Sequence, residues 1–260
     1  MAMRPSELSR RKFIKESWAL AAPAMLGVPL VAQPSQTAAP ARPLKVVCVG
    51  GHPDDPESGC AGTLARYAQS GHRVTIVYLT RGERGITGKS NQEAATIRTA
   101  ECEAACKIIG AAAAFAGQID GSAEFTRTRV DEMQKLLAAE NPDVVFTHWP
   151  MDTHMDHQVA SLCTMRACLG LKARPQLYFF EVNSGSQTLG FSPNTYVDIT
   201  ETVEKKKTSL FAHRSQNGES IWKNYHEIIA SWRGREAGIK AAEAFFRVNR
   251  DQVIAELPGL

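Results

Sequence analysis

No two of the six cysteines stand in a CxxC pair, and no GxGxxG follows the first apolar run. The cysteines (Cys48, Cys60, Cys102, Cys106, Cys163 and Cys168) are scattered singly on apolar stretches and read as small core residues. Cys102 and Cys106, four apart on a predicted helix, face the same way at a spacing that does not suit a disulfide, and bridging elsewhere stays open. The missing glycine motif argues against a nucleotide-binding Rossmann domain, as do Asp54 and Asp55, which would repel a pyrophosphate. A long apolar run is also lacking. A stable membrane span needs about 20 apolar residues, whereas the mildly apolar stretch from Trp18 to Ala32 is broken by Pro23 and Pro29. After residue 41 there is no basic tract beyond Lys205-Lys206-Lys207, so nothing points to nucleic acid.

What is present begins with the leader. Arg10-Arg11-Lys12-Phe13-Ile14-Lys15 is followed by that apolar stretch and then by small residues, with candidate cleavage after Ala32 or after Ala41. The order closely resembles a twin-arginine export signal. Residues 1–41 are therefore read as signal peptide and linker, and residues 42–260 as one domain. The expected partner in secretion is the twin-arginine machinery, and the expected destination is the periplasm or beyond. A passenger of that machinery folds before export, which fits a cofactor loaded in the cytoplasm. Arg4, Arg10, Arg11, Lys12 and Lys15 against Glu7 and Glu16 account for the whole formal net charge of +3, so the remainder is neutral. Its composition, 43% hydrophobic and 22% charged over the 260-residue chain, is that of an ordinary globular protein.

From residue 42 onward, apolar runs alternate with helical patterns. Strands are predicted at 44–50, 73–80, 144–147, 176–183 and 195–200, with a short one within 111–117. Helices are predicted at 58–71, 92–110, 126–140 and 156–170, then at 203–216, 222–234 and 239–247. The strands are continuous apolar runs, which argues a sheet covered on both faces. The fold class is α/β, a three-layer Rossmann-like sandwich with a mostly parallel sheet. There is no internal repeat.

Ligands of an open α/β sheet sit at the carboxyl ends of its strands. Gly51-His52-Pro53-Asp54-Asp55 ends the first strand, and His148-Trp149-Pro150-Met151-Asp152-Thr153-His154-Met155-Asp156-His157 ends the fourth. Either cluster alone is weak, since Pro and Asp also make ordinary turns and HisXxxXxxHis recurs by chance. Together they point to a metal site. Imidazole and carboxylate are good zinc ligands, and a catalytic zinc takes three protein ligands and leaves a position for water. A spare carboxylate beside it would take a proton, and a spare imidazole would polarise the carbonyl under attack. On the residues alone, His148 serves equally as a strand-end structural histidine, Asp152 as a loop cap, and His72 and His226 as surface or packing residues.

The stretch GHPDDPESGCAGTLARYAQSGHRVTIVYLTRGERG resembles the opening of the PIG-L/LmbE superfamily of zinc-dependent de-N-acetylases. His154-Met155-Asp156-His157 matches a second block, IRTAECEAACKIIGA an Arg-containing helix, and KKKTSLFAHRSQ a late block. The resemblance implies His52, Asp55 and His157 as zinc ligands, Asp54 as general base, and His154 as oxyanion stabiliser and proton donor to the leaving amine. It places Asp156 behind His154 or behind the metal, and implies that Arg98 contacts substrate and His213 lines the pocket. Iron(II) suits the same ligand set. Pro56 stands where many members carry an acidic residue, with Glu57 one later, and Met155 stands where Pro is common. The implied activity is release of acetate from an N-acetylglucosamine-type sugar or its conjugate. A zinc hydrolase of another amide, and a non-catalytic sugar- or metal-binding protein on the same scaffold, stay open, as does the oligomeric state.

Overall fold

Val46, Val47, Cys48 and Val49 are all buried, although neighbouring side chains of a strand point to opposite faces. The first strand is therefore covered on both sides. The computed structural model describes residues 42–248, so the leader, its twin-arginine signature and both candidate cleavage sites lie outside the described residues.

The described residues form one seven-stranded sheet: β1 (Lys45–Gly50), β2 (Arg73–Tyr78), β3 (Ala112–Phe115), β4 (Val144–His148), β5 (Gln176–Phe180), β6 (Thr195–Asp198) and β7 (Ala242–Arg247). Their order across the sheet is β3-β2-β1-β4-β5-β7-β6. β1 to β5 are parallel, with Val46 in register with both Val74 and Val144, while β7 runs antiparallel between β5 and β6. The helices are α1 (Asp55–Gln69), α2 (Asn91–Ile109), α3 (Arg127–Glu140), α4 (Met155–Gly170), α5 (Val203–Phe211), the one-turn α6 (Gly218–Ile221) and α7 (Glu227–Ala237), with a π-turn at Trp222–His226 joining the last two. None is long and apolar enough to cross a membrane.

Alternation along β1 splits the core in two. Val46 and Cys48 pack with Cys60 and Leu64 of α1 and Cys102 and Ile109 of α2. Val47 and Val49 pack with Met133 and Leu137 of α3 and Val159 and Cys163 of α4. All six cysteines belong to these two clusters, in keeping with a packing role. Local signals set the helix ends. Ser90 caps α2 and exchanges hydrogen bonds with Glu93 in a capping box, and Gly110 ends the helix in the left-handed region.

Two expectations need correction. The segment 239–247 is not a helix: Ala242–Arg247 is β7, filling the gap between β5 and β6. A short apolar run has no period of its own that separates helix from strand. Here the unpaired edge of β5 decides. The helix expected at 203–216 stops at Phe211, and Arg214–Gln216 is a separate 3-10 turn.

Gly59 shows how tightly α1 lies on the sheet. A Cβ at this position would sit 2.2 Å from Cδ2 of Phe180, a fully buried ring. Gly59→Ala should therefore destabilise the fold by about 1–3 kcal/mol, despite the better helix propensity of alanine. Urea unfolding checks this, and an unchanged or higher midpoint would show that the ring yields freely.

Candidate metal centre and active site

β1 and β4 are adjacent and parallel, but the chain leaves them on opposite sides of the sheet. After β1 it enters α1, and after β4 it enters α4, which packs on the other face. The two exit loops diverge, and the crevice between them is the switch point where α/β sheets bind ligands. Both polar clusters lie there. Gly51 permits the close approach, since a Cβ on it would lie 2.9 Å from His157 Cδ2.

His52, Asp55 and His157 meet at their tips. His52 Nδ1 is 3.1 Å from Asp55 Oδ2, Asp55 Oδ2 is 3.2 Å from His157 Nε2, and that nitrogen is 3.3 Å from His52 Nδ1. Ligand atoms bound tetrahedrally to zinc at about 2.0–2.2 Å are spaced about 3.3–3.5 Å apart, so the triangle has nearly the right size. Proton placement tests the fit further. His52 Nε2 lies 3.1 Å from Asp156 Oδ2 and 3.3 Å from Asp120 Oδ1, while His157 Nδ1 lies 3.1 Å from Asp152 Oδ1. Each neutral ring therefore donates its one N–H outward to a carboxylate and turns a lone pair inward. Two such lone pairs and a carboxylate oxygen converge, an arrangement that a cation satisfies. The residues fit a divalent metal, with carboxylates orienting both imidazoles from behind.

Without a metal the same carboxylates favour the protonated rings, and a cation binding here would displace those protons. Burial would lower the His52 pKa, but Asp120, Asp156 and Asp55 outweigh it and hold it well above the usual value. His157 is likewise penalised by burial yet raised to about 9 by Asp55 and Asp152. Burial would raise Asp55, but His157 and His148 hold it well below the usual carboxylate range. The centre attracts positive charge.

Other combinations serve less well. His148 is fully buried behind the trio, and its Nε2 already accepts the Gly51 N–H at 3.0 Å. Burial, with His157 next to it, lowers its pKa to about 4. His154 caps α4, with Nδ1 accepting from the Asp156 N–H at 3.2 Å, so its proton sits on Nε2. Burial and then the His52 and His157 charges lower its pKa.

A cavity of about 460 Å³ opens onto the trio, lined among others by Asp54, Arg98, His154, Asn183 and Gln187. Asp54 stands beside the trio. Its backbone has φ of 120°, a region that L side chains rarely adopt, and the Glu57 carboxylate accepts its N–H at 3.2 Å. Burial pushes its carboxyl up to about 6, partly offset by Arg98, whose guanidinium lies 3.3 Å from Asp54 Oδ1.

Arg98 lies on the buried side of α2. It is 3% exposed, donates to the Pro53 carbonyl and lines the cavity. Asp156 does not orient the His154 ring with its carboxylate; that group accepts from Gly121 N at 2.7 Å and holds His52. His213 is fully buried off the cavity, its Nε2 3.4 Å from Glu57 Oε1, because the turn after α5 packs it inward. It does not line the pocket.

Sequence reasoning passed over Asp120 and left Asp152 as a loop cap. Asp120 follows β3 at the same edge of the sheet, so the strand-end rule that found His52 also reaches it. Asp152 stands in the cluster that ends β4, five residues before His157, and nothing local separates a loop cap from a partner of that histidine.

The chain is similar to known deacetylases. The family described as PIG-L, GlcNAc-PI de-N-acetylase, matches residues 47–168. A diacetylchitobiose deacetylase of Thermococcus kodakarensis is 30% identical over 217 residues, covering 76% of this chain and 81% of that protein. A 4-oxalmesaconate hydratase of Pseudomonas putida is 25% identical, covering 75% of this chain and 83% of its own. The solved N,N'-diacetylchitobiose deacetylase of Pyrococcus horikoshii, complexed with its inhibitor MPG, superposes with a TM-score of 0.69 at 26% identity, covering 79% of this chain and 84% of that one.

Asp54 generates a stability prediction. Its folded pKa of about 6 exceeds the ordinary 3.8, so between those values the folded state binds more protons than the unfolded one. Stability is lost as pH rises through that window. In metal-free protein, Asp54→Asn should gain on the order of 3 kcal/mol over wild type above about pH 6, with the gain fading below about pH 4. Thermal unfolding across this range checks it; a pH-independent difference would mean the carboxyl is not perturbed.

Proposed function

The chain belongs to the PIG-L/LmbE superfamily of de-N-acetylases, and on that premise we propose that it is a metal-dependent hydrolase releasing acetate from an N-acetylglucosamine-type amino sugar or its conjugate. The observation that carries this reading is the inward convergence of His52 Nδ1, Asp55 Oδ2 and His157 Nε2 within 3.1–3.3 Å, with a further carboxylate, Asp54, beside them at the cavity. The family profile and the diacetylchitobiose deacetylases support the substrate class. Membership alone does not decide the reaction, since a hydratase is also among the relatives.

His52, Asp55 and His157 would hold the metal, zinc or iron(II) by donor type. When bound, it supplies Lewis acidity, lowering the pKa of water towards about 7 and polarising the amide carbonyl. Asp54, with a pKa of about 6, is ionised at neutral pH and is the group to take the proton from the attacking water. The His154 Nε2–H lies on the cavity as a donor to the oxygen that gains charge, a contact worth about 3 kcal/mol in comparable sites. His154 acts as a neutral donor because burial lowers its pKa. The proton that Asp54 collects is then the one available to the departing amine. Arg98 keeps Asp54 in place and offers the cavity a guanidinium edge.

Acetate release from a panel of N-acetylglucosamine compounds tests the reading. Metal-loaded wild type should release acetate, with kcat/KM rising to a plateau as Asp54 ionises, the rise lying below the metal-free value of about 6 because a bound cation favours the carboxylate. Asp54→Asn should keep the metal and lose at least 100-fold in kcat, the low end of about 10²–10⁴ for a general base. Metal binding without acetate from any compound would overturn the substrate class, and a wild-type rate in Asp54→Asn would overturn the base.

Export by the twin-arginine machinery is part of the same proposal, supported by the Arg10-Arg11 signature in the leader. Expressed at full length, the chain should reach the periplasmic fraction, whereas the Arg10→Lys, Arg11→Lys double variant should stay in the cytoplasm. Equal partition of the two would count against export by this route.

A further inference from the structure

The segment that follows β5 faces two ways. Val182, Asn183 and Gln187 wall the cavity. Thr188, at the far end of the same segment, is 3% exposed and lies against Asp152, the carboxylate behind His157. We propose that Thr188 is a positioning residue. Its hydroxyl orients Asp152, which in turn holds His157 with its proton on Nδ1 and its lone pair on Nε2 facing the metal position.

Hydrogen counting assigns the bond. Thr188 Oγ1 has one hydrogen and two acceptors in reach, Val182 O at 2.9 Å and Asp152 Oδ2 at 3.1 Å. Val182 O already receives the Thr188 N–H at 3.2 Å. Asp152 Oδ1 is occupied by the His154 N–H at 2.8 Å and by His157 Nδ1 at 3.1 Å. Asp152 Oδ2, by contrast, has only the threonine among the described residues. The hydroxyl hydrogen therefore goes to Asp152, while Oγ1 accepts the Val182 N–H at 2.9 Å. With both oxygens held, the carboxylate has a fixed plane, and His157 meets an acceptor at one angle only.

The surrounding segment is built to keep Thr188 still. Thr188 and Asp152 form an isolated antiparallel bridge, flanked by Thr153 N–H to Gln187 O at 3.1 Å and Leu189 N–H to Met151 O at 2.9 Å. At the near end, Glu181 takes a two-pronged contact from Arg233 of α7, at 2.6 and 2.9 Å, and a bond from Ser184. The cavity wall and the support of one candidate metal ligand are thus a single hydrogen-bonded piece.

This inference rests on the metal half of the proposed function and not on the substrate. It is tested with the metal alone, by competing Zn2+ or Co2+ against a chelator in wild type, Thr188→Val and Thr188→Ser, and by recording the Co2+ visible spectrum. Valine keeps the shape and removes the hydroxyl, leaving Asp152 Oδ2 buried without a donor. Thr188→Val should bind metal about tenfold more weakly with an altered Co2+ spectrum, and Thr188→Ser should stay within about twofold of wild type with its spectrum. If Thr188→Val does not fold, Thr188→Ala takes its place with the same expectation. Unchanged affinity in the hydroxyl-free variants, or equal weakening in Thr188→Ser, would overturn the proposal. A wild-type chain that binds neither metal would remove the metal reading and this inference together, whereas failure to release acetate would leave the titration standing.

Discussion

One carboxylate oxygen organises this end of the molecule. Asp55 Oδ2 accepts the His52 backbone N–H at 2.7 Å and lies 3.1 Å from His52 Nδ1, 3.2 Å from His157 Nε2 and 3.4 Å from His148 Nε2. A buried charge with that many neighbours is tolerable only when the surroundings compensate it. The compensation comes from two loops that are far apart in sequence. If β1 and β4 were not adjacent, neither loop would have a reason to take its observed form.

α1 is the mount for this oxygen, and buried polar groups set its position. Asp54 and Asp55 stand at its N-terminus, where helix amides and the macrodipole favour negative charge. Glu57, on the first turn, receives the Tyr78 hydroxyl at 2.5 Å and so ties the helix start to β2. In the middle of the helix the N–H groups of Gly62 and Thr63 point to Glu243 of β7, at 3.0 and 2.7 Å. Lys206 of α5 bridges that carboxylate and the Ser58 carbonyl at 2.5 and 2.6 Å. Such buried pairs contribute little net stability, but losing one partner is costly. Their effect here is to hold α1, and with it Asp54 and Asp55, in one place against the sheet.

Around the inner trio runs a ring of carboxylates, each answering a histidine. Asp120 and Asp156 face His52, and Asp152 faces His157. The ring decides which nitrogen of each imidazole is free, and so converts a set of good donor types into a set with the right lone pairs. Asp54 stands apart from that task. Flanked by Arg98 and raised towards neutrality by burial, it lies on the cavity beside the trio.

Much of this was legible in the residues before any coordinates. Continuous apolar runs alternating with helical patterns mark a parallel sheet covered on both faces, because a strand buried on both sides has no polar face to show. His52, Asp55 and His157 stand out because ionisable side chains directly after apolar strands fall on the ligand-binding edge. Tertiary structure alone decided the rest. Ala242–Arg247 is a strand because β5 had an open edge to fill, and the run itself carries no period that says so. Asp120, Asp152 and Thr188 act through partners 68, 5 and 36 residues away, His52, His157 and Asp152. The pairs 68 and 36 residues apart leave no local pattern, and the five-residue spacing of Asp152 and His157 does not by itself say that the two side chains meet. His213 looks like a pocket residue in its motif and is instead packed beneath the site against Glu57. Local sequence sets which side chains are available and which face they take. Only the packed sheet sets which of them meet, since pairing across a fold depends on distances that the chain's order does not encode.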